Sequence, residues 1–307
     1  MEKTQSEHIS VVGFCYGLAA YTVWGFLPLY WKLLQMIPST EILAHRIFWS
    51  FFYVIIILSI QGKGRLLKET LMDKRAVKLI AAASVLITVN WGLYIWAVNN
   101  NHVVESSMGY YINPLIVVLL GTVVLKEKLN FWQIISLVFA VVGVLILTIQ
   151  YGKFPWVSLL LALSFALYGL FKKLIQADSL VGLALETMLI MPFAMGFILI
   201  KQGYGTGVIG AIPLKTTILL LCSGLATATP LLWFAKGAKR IPLSTMGFLQ
   251  YISPTISLLL GILVFKESFT GTHLISFGFI WCGLIIYSLS QLGIIKNRQK
   301  ETLEKYS

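Results

Sequence analysis

Composition sets the environment of this 307-residue chain, of which 58% is hydrophobic and only 12% charged. Soluble globular domains carry about 45–50% apolar and about 25% charged residues, so a soluble enzyme is excluded. The net charge of +12 would suit nucleic acid, but the basic residues lie between apolar runs, where lipid headgroups account for them. Cys15, Cys222 and Cys282 show no metal or redox spacing and are predicted to be buried packing residues.

Ten apolar runs are long enough to cross a hydrocarbon core, which takes about 20 helical residues each. They predict an all-α integral membrane protein with ten transmembrane helices, short loops and two tails. The first run follows charged residues and lacks a small-residue cleavage site, so we expect it to be retained. The predicted spans lie near residues 11–31, 40–60, 77–98, 104–125, 131–149, 155–171, 180–200, 214–235, 243–265 and 272–292.

Lysine and arginine are distributed unevenly over the connections between these spans. Of the 24 basic residues, 18 lie in the two tails and the connections after even-numbered spans, against five after odd-numbered spans. Basic residues accumulate on the cytoplasmic side of a membrane. Both tails, residues 1–10 and 293–307, and the segment from Lys63 to Lys78 are therefore predicted to be cytoplasmic.

The two halves of the chain are related by an internal repeat. Residues 111–130 and 251–270 share ten identities in twenty positions at an offset of 140. The repeats comprise residues 11–149 and 155–292, with five spans each. Because five is odd, the second repeat enters the membrane from the opposite side. Such inverted five-helix repeats are typical of secondary transporters, whose substrate site lies near the membrane midplane.

Five short runs of the sequence carry a family resemblance. They are residues 29–32 (LYWK), 41–46 (EILAHR), 90–99 (NWGLYIWAVN), 109–114 (GYYINP) and 248–255 (FLQYISPT). These runs are similar to those of the RarD subgroup of the EamA transporters, in the drug/metabolite transporter superfamily, and the resemblance extends over about residues 11–290. It implies a multi-pass transporter of the bacterial cytoplasmic membrane and indicates no substrate.

Arg46 lies about six residues into span two, where a charged side chain is costly unless it has a partner. Glu41 and His45 share a side of that helix, and Glu105 begins span four. A planar guanidinium pairs best with a carboxylate, so Glu41 or Glu105 is the expected partner. Two interpretations stay open: a structural ion pair, or an arginine that binds an anionic group or responds to a titrating carboxylate.

Glu186 occupies the first turns of span seven, much as Glu41 and Arg46 do in span two. Carboxylates in the two halves could bind a coupling proton or cation in alternation. Alternatively, Glu186 is an interfacial carboxylate near a helix N-terminus, where the helix dipole favours negative charge.

Asn90, Trp91 and Tyr94 give span three a ring-rich surface, with Asn90 and Tyr94 one helical turn apart. This pattern suits a cavity that stacks a planar or cationic solute. A position in the membrane-interface belt is the alternative for such rings. The depth of Asn90 requires hydrogen-bond partners in either case.

Polar positions around two prolines recur in both repeats. They are Tyr110, Tyr111, Asn113 and Pro114 in span four, and Gln250, Tyr251, Ser253 and Pro254 in span nine. A proline removes one backbone hydrogen bond and kinks its helix, so both prolines are predicted hinges beside a midplane cavity. We expect the polar side chains of the two spans to approach each other across the repeat interface.

The sequence therefore predicts a secondary, alternating-access transporter of a small metabolite or drug, with export one open direction. Its predicted partners are a small-molecule substrate and the lipid bilayer, without nucleic acid, metal or cofactor. A coupling proton or cation, and a monomer or a homodimer, stay open. An integral membrane enzyme or a channel is the alternative, although the scattered histidines form no helical His/Glu motif and no glycine-rich phosphate loop is present.

Overall fold

The computed structural model describes residues 10–100, 102–264 and 271–291, which form twelve α-helices. Ten spans in this part of the chain are long and apolar enough to cross a membrane, with α10 and α11 together forming one of them. This architecture confirms the predicted all-α class. The helices are α1 (Val11–Lys32), α2 (Ser39–Ile60), α3 (Gly64–Met72), α4 (Lys74–Asn99), α5 (Val103–Val123), α6 (Phe131–Tyr151), α7 (Trp156–Leu174), α8 (Ser179–Gly203), α9 (Leu214–Ala238), α10 (Leu243–Gln250), α11 (Ile252–Leu263) and α12 (Gly271–Gln291).

Polar caps and one glycine set several helix ends. Asp73 accepts hydrogen bonds from two N–H groups in the first turn of α4. Asn130 and Gln133 form a reciprocal capping box at the start of α6. Gly152 ends α6 at a φ of 71°, in the left-handed region that glycine adopts without strain.

The basic connection between α2 and α4 folds into a short helix, α3. Its nine residues cover about 14 Å at 1.5 Å per residue, too little to cross a bilayer. Leu67 packs against the bundle, whereas Arg65 and Lys68 are not buried. The segment therefore lies along one end of the bundle, where sequence reasoning expected only a loop.

The repeats pack against each other through an antiparallel crossing of α6 and α12. A Cβ on Gly143 would lie 2.6 Å from the carbonyl oxygen of Ser276, and a Cβ on Gly283 would lie 2.8 Å from that of Ser136. Gly283 and Ser276 lie 140 residues after Gly143 and Ser136, so equivalent residues of the two repeats make the two contacts. From Ser136 to Gly143 the chain runs along α6 in one direction, and the residues that they contact on α12 run in the opposite direction. An inverted repeat requires this reciprocal, antiparallel geometry.

The crossing of α5 with α10 is equally close. A Cβ on Gly247 would lie 2.9 Å from the carbonyl oxygen of Pro114. The second-repeat helix is interrupted at Tyr251, because Pro254 has no N–H to donate to the carbonyl of Gln250. Helix α5 continues through Pro114 without an interruption, and the two hinges stay predictions.

Large apolar side chains cover much of the outside of the bundle, among them Ile56, Phe193 and Leu199. An apolar belt of this kind suits contact with lipid tails. The expected burial of the three cysteines was wrong, since all of them are exposed on this surface. In a bilayer the outward face is as apolar as the core, so an apolar neighbourhood in the sequence does not imply burial.

The two ends of the bundle are named by the loops that they carry. The α1–α2 end carries the loop between α1 and α2 and is the predicted extracytoplasmic side. The α7–α8 end carries the loop between α7 and α8 and is the predicted cytoplasmic side.

Candidate functional site

Arg46 projects from α2 into a space between helices of both repeats, in the half of the bundle nearer the α1–α2 end. Its Nε donates a hydrogen bond to Thr227 Oγ1 at 3.0 Å. The guanidinium carbon lies 4.6 Å from the ring centroid of Trp31 and 5.1 Å from that of Trp91. We call this group, with two tyrosines described next, the Arg46 cage: Trp31, Trp91, Tyr94, Tyr110 and Thr227.

Tyr94 and Tyr110 form an accessible wall of the cage. Their ring centroids are 6.2 Å apart, and both side chains interact electrostatically with Arg46. Tyr94 is nevertheless 38% exposed and Tyr110 51% exposed. The cage is therefore not closed by packing on the side of these two rings.

The expected ion pair of Arg46 was wrong, because no carboxylate of the described residues lies within ion-pairing distance of it. Glu105 instead hydrogen-bonds His102 Nδ1 at 2.7 Å and accepts from Tyr151 at 2.8 Å and from the Val157 N–H at 3.2 Å. These partners surround the start of α7, where a helix N-terminus favours a negative charge. Arg46 is stabilised by aromatic rings and one hydroxyl group instead.

Glu41 and His45 face the protein interior one turn apart on α2, and both are 1% exposed. Glu41 Oε2 and His45 Nε2 are 3.9 Å apart. Glu41 Oε1 and both imidazole nitrogens have no hydrogen-bond partner in the part of the chain that the structure describes. Lys201 of α8 interacts electrostatically with Glu41. The pair is thus a buried titratable site without a hydrogen-bond network.

The amide of Asn90 bonds to α7 rather than to the cage. Its amide donates to the carbonyl of Leu161 at 2.8 Å and to Ser164 Oγ at 2.9 Å. Asn90 therefore joins α4 to α7, while Trp91 and Tyr94 belong to the cage. Sequence reasoning expected Asn90, Trp91 and Tyr94 to line one surface. In the structure the amide makes a contact between helices, and only the two rings belong to the cage.

Polar residues near the two prolines make hydrogen bonds across the repeat interface, but Asn113 and Gln250 do not bond to each other. The hydroxyl of Tyr251 donates to the carbonyl of Tyr111 at 3.3 Å, and Asn113 donates to the carbonyl of Ala162. Asn113 is 2% exposed and Gln250 5%, so they lie in packed contacts rather than in an open cavity. Each of these two amides has a buried oxygen without a partner among the described residues.

An aromatic cluster closes the bundle on the α7–α8 side of the cage. Neighbouring rings have centroids 5.5 to 6.1 Å apart. Tyr168 is 0% exposed and Phe234 2% exposed. A cavity between cage and cluster has about 20 Å³ of free space, enough for about one water molecule. We call this cluster the aromatic plug: Tyr21, Trp24, Phe165, Tyr168 and Phe234.

Glu186 follows Arg46 by 140 residues and belongs to a buried ion pair. Its Oε1 lies 2.7 Å from Lys172 Nζ, with side chains 3% and 2% exposed, respectively. Tyr168 donates to the other carboxylate oxygen at 3.3 Å, and Ser84 donates to the backbone carbonyl of Glu186 at 2.9 Å. The fully partnered carboxylate favours the structural interpretation of Glu186.

Polar contacts hold the α7–α8 end together. Lys63 Nζ of the first repeat lies 2.8 Å from Asp178 Oδ2 of the second. Within the second repeat, Lys239 donates to the carbonyl of Ala177. Burial would raise the pKa of the Asp178 carboxyl, but hydrogen bonds from Lys63 and two backbone N–H groups hold it below its usual value. Burial, together with the charge of Lys172, lowers the pKa of Lys239 to about 8.

Glu127 adds a second link between the repeats at this end. Its carboxylate accepts hydrogen bonds from the N–H groups of Leu243 at 2.6 Å and Ser244 at 2.8 Å. Lys173 Nζ lies 3.4 Å from the same carboxylate. Glu127 therefore caps α10 across the repeat boundary.

Sequence reasoning missed several residues of the site. Trp31 stands in one of the runs that carry the family resemblance, which was the one available signal. Nothing in the sequence distinguishes Thr227 from other hydroxyl residues of membrane helices. Lys172 follows predicted span six and was assigned to the basic connection after it. Their roles depend on contacts between helices that are far apart in the sequence.

Known proteins match this chain over nearly its whole length. The EamA-like transporter family matches residues 11–149 and 155–289. The chain is 45% identical to the uncharacterized transporter YojE of Bacillus subtilis (strain 168), over 91% of this chain and 94% of that one. It is 38% identical to the protein RarD of Escherichia coli (strain K12), over 91% and 95% of the two chains. A crystal structure of a protein with 16% identity has a similar fold, with a TM-score of 0.68 over 91% of this chain and 98% of that one.

Proposed function

Because the chain belongs to the EamA-like transporter family, in its RarD subgroup, we propose that it carries a small molecule across the bacterial cytoplasmic membrane by alternating access. One observation supports this proposal: aromatic side chains stay accessible in the cage towards the α1–α2 end and are buried in the plug towards the α7–α8 end. Tyr94 and Tyr110 are 38% and 51% exposed in the cage, whereas Tyr168 and Phe234 are 0% and 2% exposed in the plug.

The reverse state follows from the symmetry of the helix contacts. Helix α1 packs on α9 as α7 packs on α4, and α1 packs on α11 as α7 packs on α5. If each of these contacts took the arrangement that its equivalent in the other repeat has now, the cage would close and the plug would open. No new type of helix packing would be needed. Rocking of one repeat against its inverted partner is the general route of such carriers.

The links that hold the α7–α8 end closed are weak enough to break in each cycle. Lys63 and Asp178 are 26% and 32% exposed, and a pair of this kind contributes roughly 0.2–1 kcal/mol. The link between Lys173 and Glu127 is also partly exposed. A few such contacts leave the two states within a few kcal/mol, which a bound substrate can overcome.

Solute counterflow in proteoliposomes tests the carrier function. Purified protein is screened with amino acids, nucleobases, organic acids and hydrophobic drugs preloaded inside the vesicles. We expect saturable uptake of a labelled solute that the same solute on the opposite side accelerates. Uptake without saturation or acceleration would indicate a channel, and a chemically altered solute would indicate an enzyme.

The variant Arg46→Ala separates a transport role of this residue from a structural one. The change removes a charge from an open cage and creates no large apolar void, so we expect counterflow to fall much more than thermal stability. A sharp loss of stability with unchanged counterflow per folded molecule would assign Arg46 to the fold alone.

We assign the coupling proton to the pair Glu41 and His45. The support is their 1% exposure and the missing hydrogen-bond partners described above, since a buried carboxylate beside an imidazole is costly unless a proton is shared. Glu41→Gln should abolish uptake driven by a proton gradient and leave counterflow intact. Glu69→Gln is the matched control, because Glu69 is exposed on α3 and pairs with Arg65. Loss of counterflow in Glu41→Gln, or an unchanged response to the gradient, would contradict the assignment.

A further inference from the structure

The Arg46 cage holds one positive charge with unused hydrogen-bonding capacity. Two indole rings lie over the guanidinium, and its Nε is occupied by Thr227. The remaining guanidinium N–H groups have no acceptor among the residues that the structure describes. A guanidinium with one nitrogen occupied presents its two terminal nitrogens as a planar fork, which matches the two oxygens of a carboxylate.

The positive charge of the cage favours a negatively charged ligand. The cage contains Arg46 and no carboxylate within the described part of the chain, so a cationic solute would be repelled. Its indole rings, which sequence reasoning assigned to a planar or cationic solute, already stabilise the resident guanidinium. The ammonium group of a zwitterionic amino acid would find no acidic partner beside Arg46. An anion without an ammonium group fits this site best.

The accessible rings select the rest of the ligand. Tyr94 and Tyr110, whose side chains interact with the guanidinium, are 38% and 51% exposed, so aromatic surface is accessible beside Arg46. A flat apolar group attached to the carboxylate can stack on these rings while the carboxylate meets Arg46. We infer that the substrate is a monocarboxylate with a flat, apolar body, bound at Arg46; this inference rests on the proposed carrier function.

Neutralisation of Arg46 also gives a reason for the link between binding and closure. Closure around an empty cage would bury a lone guanidinium in the membrane interior, which is expensive. A bound carboxylate replaces this lone charge with a neutral pair. The empty carrier is therefore slow to reorient, which agrees with the expected acceleration by solute on the opposite side.

Saturation-transfer NMR on the full-length protein in detergent micelles tests the inference. The probes are phenylacetate, phenethylamine and phenylalanine, which share a benzyl group and differ in charge. We expect saturable binding of phenylacetate alone, weakened about 10- to 100-fold in Arg46→Gln, as for the loss of a charge-assisted hydrogen-bond pair. Arg240→Gln is the matched control, because Arg240 lies over the ring of Tyr16, 5.6 Å from its centroid, at the other end of the bundle.

Three results distinguish the possible failures. Tighter binding of phenethylamine or phenylalanine than of phenylacetate would overturn the inference, and so would equal binding of phenylacetate to Arg46→Gln. If Arg46→Gln unfolds, Arg46→Lys keeps the charge without the fork and should bind phenylacetate more weakly than the native protein does. Counterflow of amines or zwitterions, but not of anions, would refute the substrate class and support the carrier function. Binding of phenylacetate without counterflow of any solute would support the ligand class and refute the carrier function.

Discussion

Replacement of Gly224 by alanine would place a methyl group inside the backbone of α2. The new Cβ would lie 2.3 Å from the carbonyl carbon of Trp49 and 2.5 Å from the nitrogen of Ser50, whereas ordinary contacts are 3.4–4 Å. Helices α2 and α9 would have to separate by about 1 Å to accommodate it. The hydrogen bond between Arg46 and Thr227, 3.0 Å long and one turn away on both helices, would then be broken.

The cost follows from two opposing effects. Overpacking costs typically about 1–3 kcal/mol, and the higher helix propensity of alanine offsets roughly 1 kcal/mol of it. We therefore expect a modest loss of thermal stability in Gly224→Ala, measured by intrinsic fluorescence in detergent, together with a severe loss of counterflow. Gly196→Ala on α8 is the control, since nothing lies within 4 Å of its Cβ and only the propensity gain applies. If both variants behave alike, the contact between α2 and α9 does not position Arg46.

Three further predictions concern the ion pair, the topology and the repeat interface. Glu186→Gln leaves Lys172 buried and unpaired and should cost about 3–5 kcal/mol of stability, whereas Glu186→Leu combined with Lys172→Met should recover most of it. A stable double variant that has lost counterflow would contradict a purely structural pair. Single cysteines at Gly64 and Asn100 should label from opposite sides of intact cells, and labelling from one side would refute the inverted arrangement. A cysteine at Asn113 should react slowly with water-soluble thiol reagents, because Asn113 is 2% exposed; fast reaction would place the cavity at the repeat interface instead.

The span count and the repeat could be predicted because membrane helices need long apolar runs and the duplication is visible at a fixed offset. Helix α3 could not, since nine residues with mixed polarity form no run of membrane length. Burial of the cysteines was mispredicted for a related reason. Apolar residues face lipid and core alike, so a uniformly apolar helix does not reveal which side is buried.

Arg46 could be identified from its depth in an apolar span, but its partners could not. Charge alone suggested a carboxylate, whereas Thr227 lies 181 residues away and the indole of Trp31 comes from another helix. Glu105 was mispaired because the start of α7 offers it closer donors than Arg46 does. Polar side chains in a membrane protein take the nearest donors that packing provides, and the sequence does not show that packing.

Alternating access is tested most directly by the reaction of a cysteine in the central cavity from each side of the membrane. Thr187 lines the cavity between cage and plug and would be replaced by cysteine in a protein without native cysteines. Histidines at Lys63 and Asp178 would let Zn²⁺ hold the α7–α8 end closed, with each single histidine as control. With Zn²⁺ bound, an impermeant thiol reagent should reach the cysteine only from the α1–α2 side, and a chelator should restore reaction from the other side. Equal reaction from the α7–α8 side with and without Zn²⁺, or no reaction from either side, would contradict a carrier that opens at one end at a time.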